Sequence, residues 1–185
     1  LSLYDCGVTL SAYYGLDALV MKSDPPRYGN AHPSIVPYGV FNAADGPLVI
    51  AVGNNRQFRS LCRDALGRAD MADDPRYATN ILRSQHRDAL IPELQRELLK
   101  HRRADLLKTL AAAGIPCGEV LGLYEALTHP RTEASEMVVT HRNAQGEEIV
   151  FTRAPWRLDG ERCEVRSPPT LGEHTAEVLA SLKKS

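Results

Sequence analysis

The stretch "YGVFNAADGPLVIAVGNNRQF", residues 38–58, constrains the fold of this chain more than any other. Asp45-Gly46 stands between two apolar runs, and such a pair supplies the positive backbone angles of a tight turn, which predicts a β-hairpin. Around "LVIAV" the second run is apolar without alternation, so both of its faces are expected to be covered. Just past Gly53 the period changes. Phe58, Leu61, Cys62, Ala65 and Leu66 fall on one helical stripe. Asn54 is placed to cap that helix, with Gln57 as its capping-box partner, and Gly67 to end it.

Before the hairpin, residues 2–21 read as one helix that is apolar nearly all round, of the kind that is buried or packs on something large. Pro25 and Pro26 stop it. The chain opens at Leu1 inside that pattern, with no methionine before Met21, which suggests a piece of a longer polypeptide. After Gly67, "RADMADDPRYATN" reads as an irregular acidic surface segment. Ala89, Leu90, Leu94 and Leu98 mark a helix that Pro92 should kink or divide. Leu106, Leu107 and Leu110 mark another, ending at Gly114. "IPCGEV" is extended, and "LYEALTH" is a short helix stopped by Pro130. "MVVTHRN" and "EIVFTR" flank "AQGE" as a second hairpin. A last helix carries Ala176, Val178, Leu179 and Leu182. Hairpins segregated from helices, without βαβ alternation, give an α+β fold rather than a doubly wound parallel sheet.

The net charge of -1 offers no basis for binding nucleic acid or an anionic membrane. No run approaches the roughly 18 apolar residues of a membrane span, and no signal peptide is visible. Cys6, Cys62, Cys117 and Cys163 are too far apart for a zinc knuckle or a redox pair, so reduced, mostly buried thiols in a cytoplasmic protein are expected. The histidines form no close ligand pair, so no metal site is proposed. Cys117 has no neighbour in sequence that would activate it as a nucleophile.

Two places could face a ligand. At "VIAVGNNRQF" a strand ends at Gly53 and a capped helix begins, so free N–H groups and the positive helix end suit an anion or a polar amide chain. Gly53 permits close approach, and Arg56 adds a cation. A plain strand-to-helix turn explains the same residues. The second place is "YGNAHPSIVPYGVF", residues 28–41, where Asn30, His32, Ser34 and Tyr38 offer polar groups on a loop stiffened by prolines; a simple linker is the alternative.

Taken together, "GNAHPSIVPYGVFNAADGPLVIAVGNNRQFRSLC", "DDPRYATNILRSQHRDALIPEL", "AAAGIPCGEV" and "PTLGEHTAEVL" resemble the class III CoA-transferase family (the CaiB/BaiF type), which includes formyl-CoA transferase and acyl-CoA racemases. The segments follow in order through the whole chain but match only the C-terminal half of that family. The resemblance implies an enzyme that moves CoA between carboxylic acids through acyl–aspartyl intermediates, with a CoA thioester as substrate and no tightly bound cofactor. It places the nucleophilic aspartate in the N-terminal half, on a Rossmann-like domain, so no catalytic residue is expected here, and neither Asp5 nor Asp17 takes that role. It further implies interlocked homodimers and three parts: 1–27 a helical linker from the large domain, 28–154 a small α+β domain, 155–185 a return segment and helix. By position, Asn30–Tyr38 matches a glycine-rich loop over the acyl group. His32, Pro33, Ser34 and Ile35 in place of glycines imply a stiffer pocket wall formed with Asn30 and Tyr38. Gly53, Asn54 and Asn55, with Arg56, match a turn that faces CoA. A racemase fragment of the same family, or a non-catalytic assembly module, stays open as an alternative.

Overall fold

The computed structural model describes residues 1–143 and 145–182. Its contacts divide the chain into two compact units, Leu1–Val120 and a second beginning at Leu121.

The first unit is built on the hairpin. Strands β1 (Tyr38–Ala43) and β2 (Gly46–Ala51) pair antiparallel, with Tyr38 opposite Ala51 and Ala43 opposite Gly46. A short strand β3 (Cys117–Glu119) joins the other edge of β2, giving the order β1-β2-β3. Strand β1 alternates, with Gly39, Phe41 and Ala43 buried and Tyr38, Val40 and Asn42 exposed. In β2, Leu48 and Ile50 are fully buried and Val49 and Ala51 half-buried, so its second face is covered only in part. The outer edge of β1 is closed by side chains and loop backbone. Gln95 donates its amide N–H to Asn42 O (2.8 Å) and accepts from Asn42 N (2.9 Å), while His32 N donates to Tyr38 O (2.9 Å).

Helix α3 (Asn55–Ser60) follows β2 and widens into a π-helical turn over Leu61–Ala65, ended by Gly67 at φ 65°. Helices α6 (Arg87–Leu98) and α7 (Arg103–Ala112) pack against the sheet. Leu90, Leu94, Leu98, Leu106 and Leu110 join Phe58, Leu61, Cys62, Leu48 and Ile50 in one core. Pro92 does not divide α6; it sits on the exposed side and removes one N–H from an otherwise continuous helix. Asp45, at the hairpin turn, also accepts the Arg103 N–H (2.6 Å) at the start of α7, which holds its carboxyl below the usual range. The turn thereby fastens the helix to the sheet.

Two sequence expectations in this unit are overturned. The segment 68–80 is not irregular surface. It forms helix α4 (Ala69–Asp73) and a 3-10 turn over Pro75–Tyr77 capped by the half-buried Asp74, and it buries Met71, Ala72 and Tyr77 while Asp70 and Asp73 face outward. The opening helix is two helices, α1 (Leu3–Thr9) and α2 (Ala12–Met21), and neither buries a residue. The break comes where the Ser11 hydroxyl donates to Val8 O (2.6 Å) and Ala12 turns to φ 45°. Leu3, Leu16 and Leu19 stay exposed.

Arg68 gathers Asp70, Glu93 and Glu97 at 2.7, 2.7 and 3.2 Å, and Lys100 completes the network on Glu97. Hydrogen bonding from Arg68 lowers Asp70 to about 2; that from Lys100, then from Arg68, lowers Glu97. Because the folded values lie below the unfolded ones, this stabilisation is complete above about pH 5 and fades as pH falls through the carboxylate range. The urea midpoint is therefore expected to drop between pH 7 and pH 3, and to drop less in Glu97→Gln. An unchanged midpoint would contradict the assignment.

The second unit holds α8 (Leu123–Leu127), α9 (Pro130–Ala134), the hairpin β4–β5 (Val138–Arg142 and Glu148–Thr152), the small hairpin β6–β7 (Arg157–Leu158 and Glu161–Arg162), and α10 (Thr175–Leu182). The turn of β4–β5 includes Ala144, outside the described residues. Pro130 starts a helix rather than stopping one. At the first helical position its missing N–H costs nothing, and His129 Nδ1 accepts from Arg131 N (3.1 Å). None of the described residues in this unit is buried. No helix among the described residues is long and apolar enough to cross a membrane.

Candidate functional site

The loop ahead of β1 and the turn after β2 meet because their strands are neighbours. Val52 N donates to Pro37 O (3.0 Å), one step beyond the end of the ladder. The end of the loop and the start of the turn therefore lie side by side.

The loop holds its shape through its own histidine. His32 Nδ1 accepts from Ser34 N (3.1 Å) and Ile35 N (3.0 Å), which requires any proton on a neutral ring to sit on Nε2. The His32 ring stacks on Tyr38, 5.3 Å between centres and 25° between planes. Asn30 and Ser34 are exposed, and His32 is half-buried. Asn30 and Tyr38 also line a cavity of about 780 Å³, with Ile35, Val40, Ile91 and Gln95; His32 and Ser34 lie outside it. The cavity is mainly apolar, which suits a neutral chain or an acyl group better than a free phosphate.

Three side chains from one helical stretch, missed by sequence reasoning, fix this loop from behind. Asn80, at the start of α5 (Asn80–Gln85), accepts from Val36 N (3.0 Å) and donates to Ser34 O (2.7 Å). Arg83 donates from Nε to Val36 O (2.7 Å). Arg87, at the start of α6, donates to His32 O (3.0 Å) and Pro33 O (2.7 Å), and its guanidinium lies 5.9 Å from the centre of the Tyr28 ring. Their spacing of three and four residues, a polar stripe on one helix face, was the available signal. Five consecutive carbonyls from His32 to Val36 include four held by side chains of this stretch, which makes the loop a braced wall.

The turn is more self-contained than expected. Asn54 caps α3, accepting from Gln57 N (2.9 Å). Gln57 does not reach back to Asn54 to complete the box. Its Oε1 accepts from Gly53 N (2.8 Å), so that N–H is committed within the turn, and its amide donates to Gly114 O (3.4 Å). Asn55 also turns inward, its Oδ1 accepting from Arg83 (3.1 Å). Asn54 and Arg56 remain exposed, beside a small depression of about 240 Å³ bounded by Ser60 and Gly114.

Of the cysteines, all free, Cys62 is buried and Cys117 half-buried, whereas Cys6 and Cys163 are exposed, against the expectation of mostly buried thiols. Burial pushes the Cys62 thiol up to about 12 and raises Cys117 as well, opposite to what a nucleophile needs. Among the described residues no group of three His, Cys, Asp or Glu side chains could hold a metal ion. The arrangement can enclose, orient and bind.

Comparison with known proteins gives a consistent picture. The family model described as CoA-transferase family III matches residues 1–175. A succinate–glutarate CoA-transferase of Agrobacterium fabrum is 36% identical over 99% of this chain and 46% of its own length. An acetyl-CoA:oxalate CoA-transferase of Acetobacter aceti is 40% identical over 62% of this chain and 29% of its own. The crystal structure of a CAIB/BAIF family protein from Brucella suis superposes with a TM-score of 0.78 at 34% identity, covering 98% of this chain and 47% of that one. The chain thus spans about half the length of the relatives it matches from end to end.

Proposed function

Since this chain belongs to CoA-transferase family III, we propose that it is the C-terminal portion of an acyl-CoA:carboxylate CoA-transferase. In this reading the enzyme is a cytoplasmic, interlocked homodimer that takes a CoA thioester as substrate. The braced loop carries the proposal: Asn30, His32, Ser34 and Tyr38 stand on a wall too firmly tied to act as a mobile flap, and suited to shaping an acyl pocket. The turn at Gly53–Arg56 faces the CoA portion. With the Gly53 N–H and the Asn55 oxygen engaged internally, Asn54 and Arg56 are the groups that reach the ligand.

A wall of this kind contributes by holding the thioester in an attack-ready position and keeping water from the intermediate. No group in this chain acts as the nucleophile in this proposal. The 185-residue chain alone is expected to give no transfer from succinyl-CoA to glutarate, while the longer enzyme that carries it transfers CoA. Trapping the intermediate should mark an aspartate outside these residues. A covalent acyl or CoA adduct on this chain would overturn the division of labour. Exchange of the α-hydrogen of an acyl-CoA without CoA transfer would favour a racemase.

A further inference from the structure

Arg83 is fully buried, yet no carboxylate is among its partners. Arginine is rarely placed this way, because an unpaired buried charge is costly. Here three carbonyl-type oxygens from three separate segments replace the counter-ion. Nε donates to Val36 O (2.7 Å), one terminal nitrogen to Tyr77 O (3.0 Å), and the other to Asn55 Oδ1 (3.1 Å). The guanidinium lies 4.5 Å from the centre of the Phe58 ring, a favourable cation–π distance. Burial lowers its pKa to about 10, so it stays charged at neutral pH.

Two of these bonds go to the two segments of the candidate site. Val36 belongs to the braced loop, and Asn55 opens α3 in the turn after β2. The Asn55 bond is not needed to cap the helix, since Asn54 already does that. Nor is it a substitute for a strand contact, since Val52 and Pro37 join the segments separately. It adds a second, rigid link. Lysine could not reproduce it, because only a planar fork donates in three fixed directions at once.

We propose that Arg83 is a positioning residue that locks the Gly53–Arg56 turn to the 30–38 loop, fixing the register between the CoA-facing and acyl-facing parts of the site. The effect on catalysis rests on the CoA-transferase reading above; the mechanical link does not.

The test is made at Asn55 in the intact enzyme, because replacing Arg83 itself endangers folding. Asn55→Ala removes one bond of the three, and Asn55→Asp keeps an acceptor for the guanidinium. In Asn55→Ala, amide hydrogen exchange over residues 34–38 is expected to rise about threefold or more, as the loss of one charge-assisted bond implies. The ratio kcat/KM is expected to fall about tenfold, mostly in kcat, with the melting temperature lowered by several degrees and the fold retained. Asn55→Asp should restore both readouts. Unchanged exchange in Asn55→Ala overturns the link, whatever the activity. Raised exchange with unchanged kinetics overturns the positioning role. Lost activity without raised exchange makes Asn55 a direct CoA contact and also overturns it. If the wild-type enzyme transfers no CoA, the functional reading fails by itself, and the exchange result alone decides whether Arg83 ties the two segments.

Discussion

Replacing Arg83 by methionine is expected to cost about 3–5 kcal/mol of stability, a large share of the roughly 5–15 kcal/mol that a domain of ordinary stability has. Methionine fills much of the volume but donates nothing. Val36 O and Tyr77 O would then be buried without their guanidinium donor, and Asn55 Oδ1 would lose its partner at the start of α3. The flat contact with Phe58 would go too. These losses occur together because all of the contacts belong to one guanidinium, at the point of the core where α3, the 75–77 turn and the loop meet. Urea unfolding followed by circular dichroism measures the effect. A loss below about 1 kcal/mol, the worth of a single ordinary hydrogen bond, would mean that water or rearranged side chains satisfy these oxygens.

Arg87→Ala should act in the opposite way, with a large effect on turnover and a small one on stability. Arg87 is only half-buried, at the first position of α6, and solvent can take over its hydrogen bonds. What disappears is the grip on His32 O and Pro33 O, the tip of the loop. If that tip shapes the acyl pocket, kcat/KM of the intact enzyme should fall about 100-fold, the cost of a displacement near 1 Å at a reacting centre. Arg87→Lys should recover part of this, since one ammonium reaches one carbonyl but not both in fixed directions. Steady-state kinetics on both variants, with melting temperatures alongside, provides the check. Unaltered kcat/KM in Arg87→Ala would remove the loop from the pocket.

The parts of the fold legible in the sequence are those decided locally. The hairpin forms where Asp45-Gly46 marked it, although its turn residues are Ala44 and Asp45, and Gly46, already in β2, pairs with Ala43. Asn54 caps, Gly67 takes positive φ, and the leucines of α6 and α7 reach the core at the expected spacing. The α+β class and the family follow from these and from the linked segments. Much of what stayed hidden depends on partners that the local pattern does not specify. Nothing near Arg83 reveals that carbonyls from residues 36 and 77 will receive it, and an arginine on a helix reads as surface. Segment 68–80 looked exposed because three aspartates, two arginines and a proline interrupt its apolar positions, yet Met71, Ala72 and Tyr77 were enough to bury it on one side. The division of the opening helix turns on one serine bonding back to its own backbone, a choice that propensity leaves open. Asn55 could have faced solvent as readily as the interior until Arg83 was in place.

Strand β1 lies at the margin of its sheet, and the groups that cover that margin are Gln95 and the backbone of the braced loop at His32. An uncovered margin is a template on which another chain can add a strand and begin to aggregate. Under the proposal that this loop walls an acyl pocket, selection for a roomier pocket and selection for a protein that stays dispersed act on the same few residues. Under that proposal, loosening the loop to admit a bulkier acid would trade substrate range against solubility.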